Sequence, residues 1–249
     1  MFLKFVDPAL LNKFAVESLT SGLSMAAVSA LSNRKLKVKS NGSLSSAGPQ
    51  LIICNHPSAI DGLILMSVIN RPDFYIVAAK TNQVFGSSFT KQMLPVYLSN
   101  LPKHHFIDYL RVPVVTQMEG NISREEAMSR NRASISQAAE KVNDGHSVII
   151  FPGGANPSQD MSWKAGIGFL IKAVTKPDLE IVLANITGTD WLDSIRPTIL
   201  GRPSPLIPNK EIVVNFKKLS LNNLDSNLSG KSLARQVESI YRLSWPDQV

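Results

Sequence analysis

Short apolar runs, each ended by glycine, proline or a polar pair and most followed by a segment with helical spacing, recur along most of this chain. The runs at 51–54 (LIIC), 74–79 (FYIVAA), 147–151 (SVIIF), 180–186 (EIVLANI) and 211–216 (EIVVNF) have strand length and are rich in β-branched residues. Ahead of them, 33–43 alternates apolar and basic residues and ends at Asn41-Gly42, which predicts a further strand and a turn. Between the runs the period changes. Ser58 is a candidate N-cap for a helix whose body is 60–69, and 81–101 reads as helix interrupted at Pro95. A strand is expected at 111–115 (RVPVV). Ser123 and Glu126 form a capping box that opens a helix carrying Met128, Ile135 and Val142, and Asp144-Gly145 closes it. Helices are also expected over 163–174 and 229–243. Strands alternating with helices predict an α/β fold, a mostly parallel sheet flanked by helices.

The amino terminus follows a different pattern. Its apolar residues are broken by Lys4, Asp7, Lys13 and Glu17, and the uncharged stretch after them covers only 15 residues, 18–32. A bilayer crossing takes roughly 20. Phe2, Phe5, Val6, Leu10 and Phe14 lie near helical spacing, so the expectation is an amphipathic helix. Such a helix can pack on the protein's own core or lie on a membrane surface. The division expected is a helical, membrane-surface segment at 1–33 and an α/β domain at 34–249.

Composition narrows the partners. The formal net charge of +7 favours an anionic one: a membrane surface, an acidic carrier protein or a phosphorylated cofactor. No basic run with interleaved aromatics supports nucleic-acid binding. One cysteine excludes an internal disulfide, and four scattered histidines make no metal-ligand spacing, so no metal or bound cofactor is implied.

Two places could carry chemistry. The strand at 51–54 breaks at Asn55-His56-Pro57-Ser58, with Asp61 five residues beyond His56. A carboxylate so close to a histidine at a strand end can fix its tautomer and stabilise the imidazolium, which suits general-base work on a hydroxyl. The alternative is a surface histidine beside a helix-dipole aspartate. The strand at 147–151 runs into Pro152-Gly153-Gly154, a turn whose backbone N–H groups could face an anion or oxyanion. Cys54 is a rival nucleophile, against its reading as a small buried core residue. No Gly-x-Ser-x-Gly elbow is present.

Asn55-His56-Pro57-Ser58-Ala59-Ile60-Asp61 resembles the Asn-His-x-x-x-x-Asp block of the glycerolipid acyltransferases that act on glycerol-3-phosphate and lysophosphatidate. Ser147 to Pro152 is similar to the strand before that family's Phe-Pro-Glu-Gly-Thr-Arg block, and Trp163-Lys164-Ala165-Gly166 to its Lys-x-Gly segment. The resemblance spans roughly 36–216. It implies transfer of a fatty acyl group from acyl-coenzyme A or an acyl-carrier protein to a lipid-like hydroxyl, in phospholipid biosynthesis. His56 would be the base, Asp61 its orienting partner, and the location the cytoplasmic face of a membrane.

The sequence departs from the family at Gly153-Gly154-Ala155-Asn156, which stand where it has Glu-Gly-Thr-Arg and holds the acceptor's phosphate. The expected substrate-binding residues are therefore Arg111 and Arg124, as alternatives for the missing arginine, with Gly153, Gly154, Asn156 and Lys164. Pro-Gly-Gly is also similar to relatives that acylate neutral acceptors. Two other functions stay open: a non-catalytic lipid- or partner-binding member of the fold, and a Cys54-dependent thioester hydrolase or transferase.

Overall fold

The computed structural model describes residues 8–33, 35–58, 60–69, 71–98, 119–120, 122–154, 163–189 and 211–246. Seven strands form one sheet: β1 (Lys37–Asn41), β2 (Gln50–Cys54), β3 (Phe74–Ala79), β4 (Met93–Val96), β5 (Ser147–Ile150), β6 (Glu180–Thr187) and β7 (Glu211–Leu219). Their order is β1-β7-β6-β2-β5-β3-β4. Five of the six pairings are parallel, and β7 runs antiparallel to β6. The mostly parallel α/β expectation therefore holds, with β7 and β1 reversed at one side.

Six helices accompany the sheet among the described residues: α1 (Pro8–Asn33), α2 (Asp61–Val68), α3 (Ser87–Gln92), α4 (Arg124–Asn143), α5 (Gly166–Ala173) and α6 (Gly230–Ser244). Alternation along the strands sends side chains to both faces. Ile52, Cys54, Ile76, Ile149 and Val182 pack beneath α1, α2 and α3 with Ile64, Leu65 and Phe89. Leu51, Ile53, Val148, Ile150, Ile181 and Leu183 pack on the other face against Val142 of α4, Leu170 of α5 and Val237 of α6. Burial on both faces explains why β2 and β5 read as unbroken apolar runs.

Several local expectations change. The stretch from 81 is not one helix: a 3-10 turn at Lys80–Phe85 and the short α3 lead into β4, with Pro95 inside the strand. β4 pairs only with β3, and a sheet edge tolerates a residue lacking an N–H. Ser58 is not the N-cap of α2; Ile60 holds that position and no side chain caps it. Ser123 does cap α4, accepting from Glu126 N–H, and Ser229 caps α6. Met128 is exposed on α4, whose buried face is made of Ala127, Ser134, Ala138, Ala139 and Val142, small enough to let the helix approach the sheet closely. The strand expected at 111–115 lies outside the described residues.

At the amino-terminal edge of the central strands, Gln50 is fully buried. Its side chain donates to Glu180 of β6 (2.8 Å) and accepts from Ser147 of β5 (3.0 Å) and from Arg71 (3.3 Å). Arg71 also donates to Asp73 (2.6 Å) and holds that carboxyl below the usual aspartate range. A buried amide with both ends paired specifies register as well as adding stability.

α1 contributes Phe14, Leu23, Ala26, Ala27 and Leu31 to the core beneath α2 and α3. Gly22, at φ 80° and ψ 166°, breaks it into two helical pieces. Val16, Leu19, Met25 and Val28 of this helix are exposed. By length and composition the segment Leu11–Asn33 is apolar enough to cross a membrane, although 39% of its most apolar stretch is buried against the chain. α5 and α6 meet at glycine: a Cβ on Gly168 would lie 1.8 Å from the Gly230 carbonyl oxygen.

Candidate active site

Sheet order explains how two distant segments meet. β2 and β5 are parallel neighbours, so the residues following each emerge at the same edge, where ligands bind in open α/β sheets. His56 follows β2 and Phe151 follows β5, and their rings lie 4.6 Å apart, tilted by 33°. The imidazole thus has an aromatic wall on one side.

Asp61 opens α2 and is completely buried. Its Oδ2 accepts from the Ser58 backbone N–H at 2.6 Å and lies 3.0 Å from His56 Nδ1. A carboxylate oxygen only accepts, so this contact places the proton on Nδ1 and leaves Nε2 with a free lone pair. The His56 side chain is 18% exposed and that of Asp61 is not exposed at all. The pairing agent is therefore dry while the imidazole reaches solvent, as a base that must meet a substrate requires.

The loop bearing His56 is tied to β6 by Asn55. Its amide donates to the Ile186 carbonyl (2.9 Å) and accepts from the Ile186 N–H (2.8 Å). The side chain thereby continues the β2–β6 ladder by one step, while the backbone turns away and carries His56 out of the sheet.

On the β5 side, the Gly154 N–H donates to the Phe151 carbonyl (3.0 Å) and closes the turn, so that N–H is already engaged. Gly154 has φ +67°, a conformation that disfavours side chains. The Lys164 Nζ lies 3.8 Å from where a Gly154 Cβ would be, and the Lys164 N–H bonds to the Pro152 carbonyl (3.1 Å). Trp163 borders Gly153, and its backbone N–H donates to the Glu238 carboxylate of α6 (2.9 Å). The turn therefore presents an ammonium group, a point charge without the forked geometry of arginine.

Arg124 is the first residue of α4, exposed and in the same turn as Glu125 and Glu126. Arg111 and Asn156 lie outside the described residues. Among the described residues no three His, Cys, Asp or Glu side chains converge as a metal site. The stacking of Phe151 on His56 and the Asn55 clamp had no signal of their own in the sequence, because both depend on which strands become neighbours.

Cys54 is 1% exposed, on the sheet face covered by α1 and α2, and burial, then the nearby Asp61, push its thiol well above the ordinary range. A thiol kept protonated is a poor nucleophile. Cys54→Ala should therefore keep most of the wild-type turnover. Trapping an acyl-thioester on Cys54 would overturn that expectation.

Residues 35–184 match the model of the family described as Acyltransferase. No curated protein matches the chain in sequence. Among solved structures it is similar to the 1-acyl-sn-glycerophosphate (LPA) acyltransferase PlsC from Thermotoga maritima, at 14% identity and a TM-score of 0.49, over 90% of this chain and 78% of that one.

Proposed function

The chain belongs to the acyltransferase family, and from that premise we propose that it transfers a fatty acyl group from a thioester to a hydroxyl of a lipid or lipid-like acceptor. The observation that carries this reading is the His56–Asp61 contact of 3.0 Å at the edge of the sheet, with Nε2 left unengaged by Asp61. Nε2 takes the proton as the acceptor oxygen attacks the thioester carbonyl and the new C–O bond forms. Asp61 stabilises the resulting imidazolium. The tetrahedral oxyanion then collapses, the C–S bond breaks, and the departing thiolate recovers the proton from His56. Nucleophile and base are separate molecules here, so the protein needs no serine or cysteine of its own.

Donor and membrane complete the reading. Acyl-coenzyme A and acyl-carrier protein are both anionic and suit the net charge of +7. Lys164 beside the Gly153-Gly154 turn meets an anionic part of a substrate. The exposed Val16, Leu19, Met25 and Val28 of α1 offer apolar side chains to a lipid surface at the cytoplasmic side, so a lipid acceptor need not leave the membrane to react.

The acceptor in this reading lacks a terminal phosphate monoester. Gly153-Gly154-Ala155-Asn156 supplies no guanidinium, and a bidentate arginine–phosphate contact contributes roughly 1.5–3 kcal/mol. Losing it disfavours phosphate-bearing acceptors by about tenfold or more. Purified protein given an acyl thioester, lysophosphatidate and a neutral glycerolipid at equal concentration should acylate the neutral lipid faster, as read by mass spectrometry of the products. Faster acylation of lysophosphatidate would show that Lys164 or an arginine has taken over the clamp. No acylation of any hydroxy-lipid would remove the enzyme reading.

A further inference from the structure

We propose that Tyr241, on the carboxy-terminal helix α6, is a positioning residue for His56, holding the stretch of β6 to which the loop carrying the imidazole is tied. The proposal rests on the general-base reading given above and adds to it a helix that lies beyond the segment 35–184 matched by the family.

The Tyr241 hydroxyl is buried where β2 and β6 end side by side. The Ala184 carbonyl (3.1 Å) and Asn185 Oδ1 (3.0 Å) both lie within reach of its single proton. Ala184 is the register partner of Cys54, two residues before His56. The phenol is pushed well above its ordinary range, chiefly by burial and then by the nearness of Cys54, while a hydrogen bond from the Asn55 backbone N–H acts the other way. It therefore stays a neutral O–H at every working pH. Its proton goes to β6, at the position paired with Cys54. The Asn55 side chain ties the loop bearing His56 to Ile186 of that same strand. Tyr241 therefore anchors β6 at 184–185, directly before the point where the His56 loop is clamped to it.

α6 is built to hold this hydroxyl in place. The Tyr241 ring sits between Trp163 (5.0 Å) and Trp245 (4.7 Å). One turn earlier on the same helix, Glu238 accepts from the Trp163 backbone N–H beside the Pro152–Gly154 turn. One helix thus grips the underside of both halves of the site. A polar group inside an otherwise apolar layer costs free energy unless it is bonded, and a phenylalanine would fill the same space. A hydroxyl here is consistent with a task that phenylalanine could not perform.

The test is Tyr241→Phe, which keeps the ring between the two tryptophans and removes only the oxygen. If the hydroxyl positions His56, kcat falls roughly ten- to hundredfold, the range expected for a small misplacement of a reacting group, while KM stays within about twofold. In protein labelled with ¹⁵N-histidine, the His56 Nδ1–H signal, assigned by its loss in His56→Gln, should be slow to exchange in the wild type and broadened in Tyr241→Phe. Unchanged kcat in a folded Tyr241→Phe variant, beside an inactive His56→Ala, overturns the inference and leaves the acyl-transfer reading standing. Parallel loss of kcat, KM and melting temperature with an unaltered Nδ1–H signal also overturns it, since a structural role alone gives that result. Turnover retained in His56→Ala sinks the general-base reading, and the Nδ1–H signal then still decides whether Tyr241 holds the imidazole.

Discussion

His56→Ala should reduce acyl transfer by roughly 10²–10⁴-fold, the usual contribution of a positioned general base, and further if His56 and Asp61 act as a unit. That loss corresponds to about 3–5 kcal/mol of transition-state stabilisation. The fold should survive it. His56 lies at the sheet edge outside both hydrophobic clusters, and its side chain is already 18% exposed. Asp61 keeps its bond from the Ser58 N–H, and the vacated space opens to water, which can replace the imidazole's bond. The measurement is turnover of purified protein beside a thermal melt. A folded variant turning over within tenfold of wild type would remove His56 from the chemistry.

The largest effect on stability should come from Gly168→Ala. The added Cβ would sit 1.8 Å from the Gly230 carbonyl oxygen and 2.8 Å from the Ala234 nitrogen, both backbone atoms that cannot rotate aside. α5 and α6 must separate, opening the contact between Leu170, Leu233 and Val237. Overpacking a core costs about 1–3 kcal/mol, and a clash with backbone belongs at or above the top of that range. For a chain of this size, that lowers the melting temperature by roughly 10 °C. Gly62→Ala is the contrast: it too lies in a helix, and its Cβ would meet only Ile76 Cδ1 at an ordinary 3.6 Å. Replacing this first-turn glycine should leave the melt unchanged or raise it slightly, the gain staying below the roughly 1 kcal/mol of a helix interior. Equal melts for the two variants would mean that α5 and α6 tolerate separation.

What could be read from the sequence follows from the range of the interactions. The central strands were legible because burial on both faces demands an unbroken apolar run, and the cap at Ser123 because it acts within three residues. His56 and Asp61 were legible as a pair for the same reason, being five residues apart on one turn. Pro95 was misread because a proline breaks a helix and fits an edge strand equally well, and only the sheet order says which applies. Ser58 was misread because its backbone N–H, not its hydroxyl, serves Asp61 in the first turn of α2. The Phe151 wall, the Asn55 clamp and Tyr241 were invisible, since each needs a neighbour drawn from far along the chain.

The buried Gln50 layer bears on the order in which the molecule assembles. Gln50 meets Ser147 across 97 positions and Glu180 across 130, so both central pairings close long loops. Parallel pairing over such separations slows folding far more than it weakens the folded state. A strand shifted by one residue would turn its side chains to the opposite face, and one shifted by two would keep its faces but leave the amide of Gln50 unmatched. The glutamine therefore acts as a gauge that rejects near-miss alignments before they harden. His56 and Phe151 sit at the far ends of the strands so gauged, and they touch only once β2 and β5 are aligned. A chain still leaving the ribosome carries His56 and its aromatic wall apart, and the two come together only when the middle of the sheet has closed.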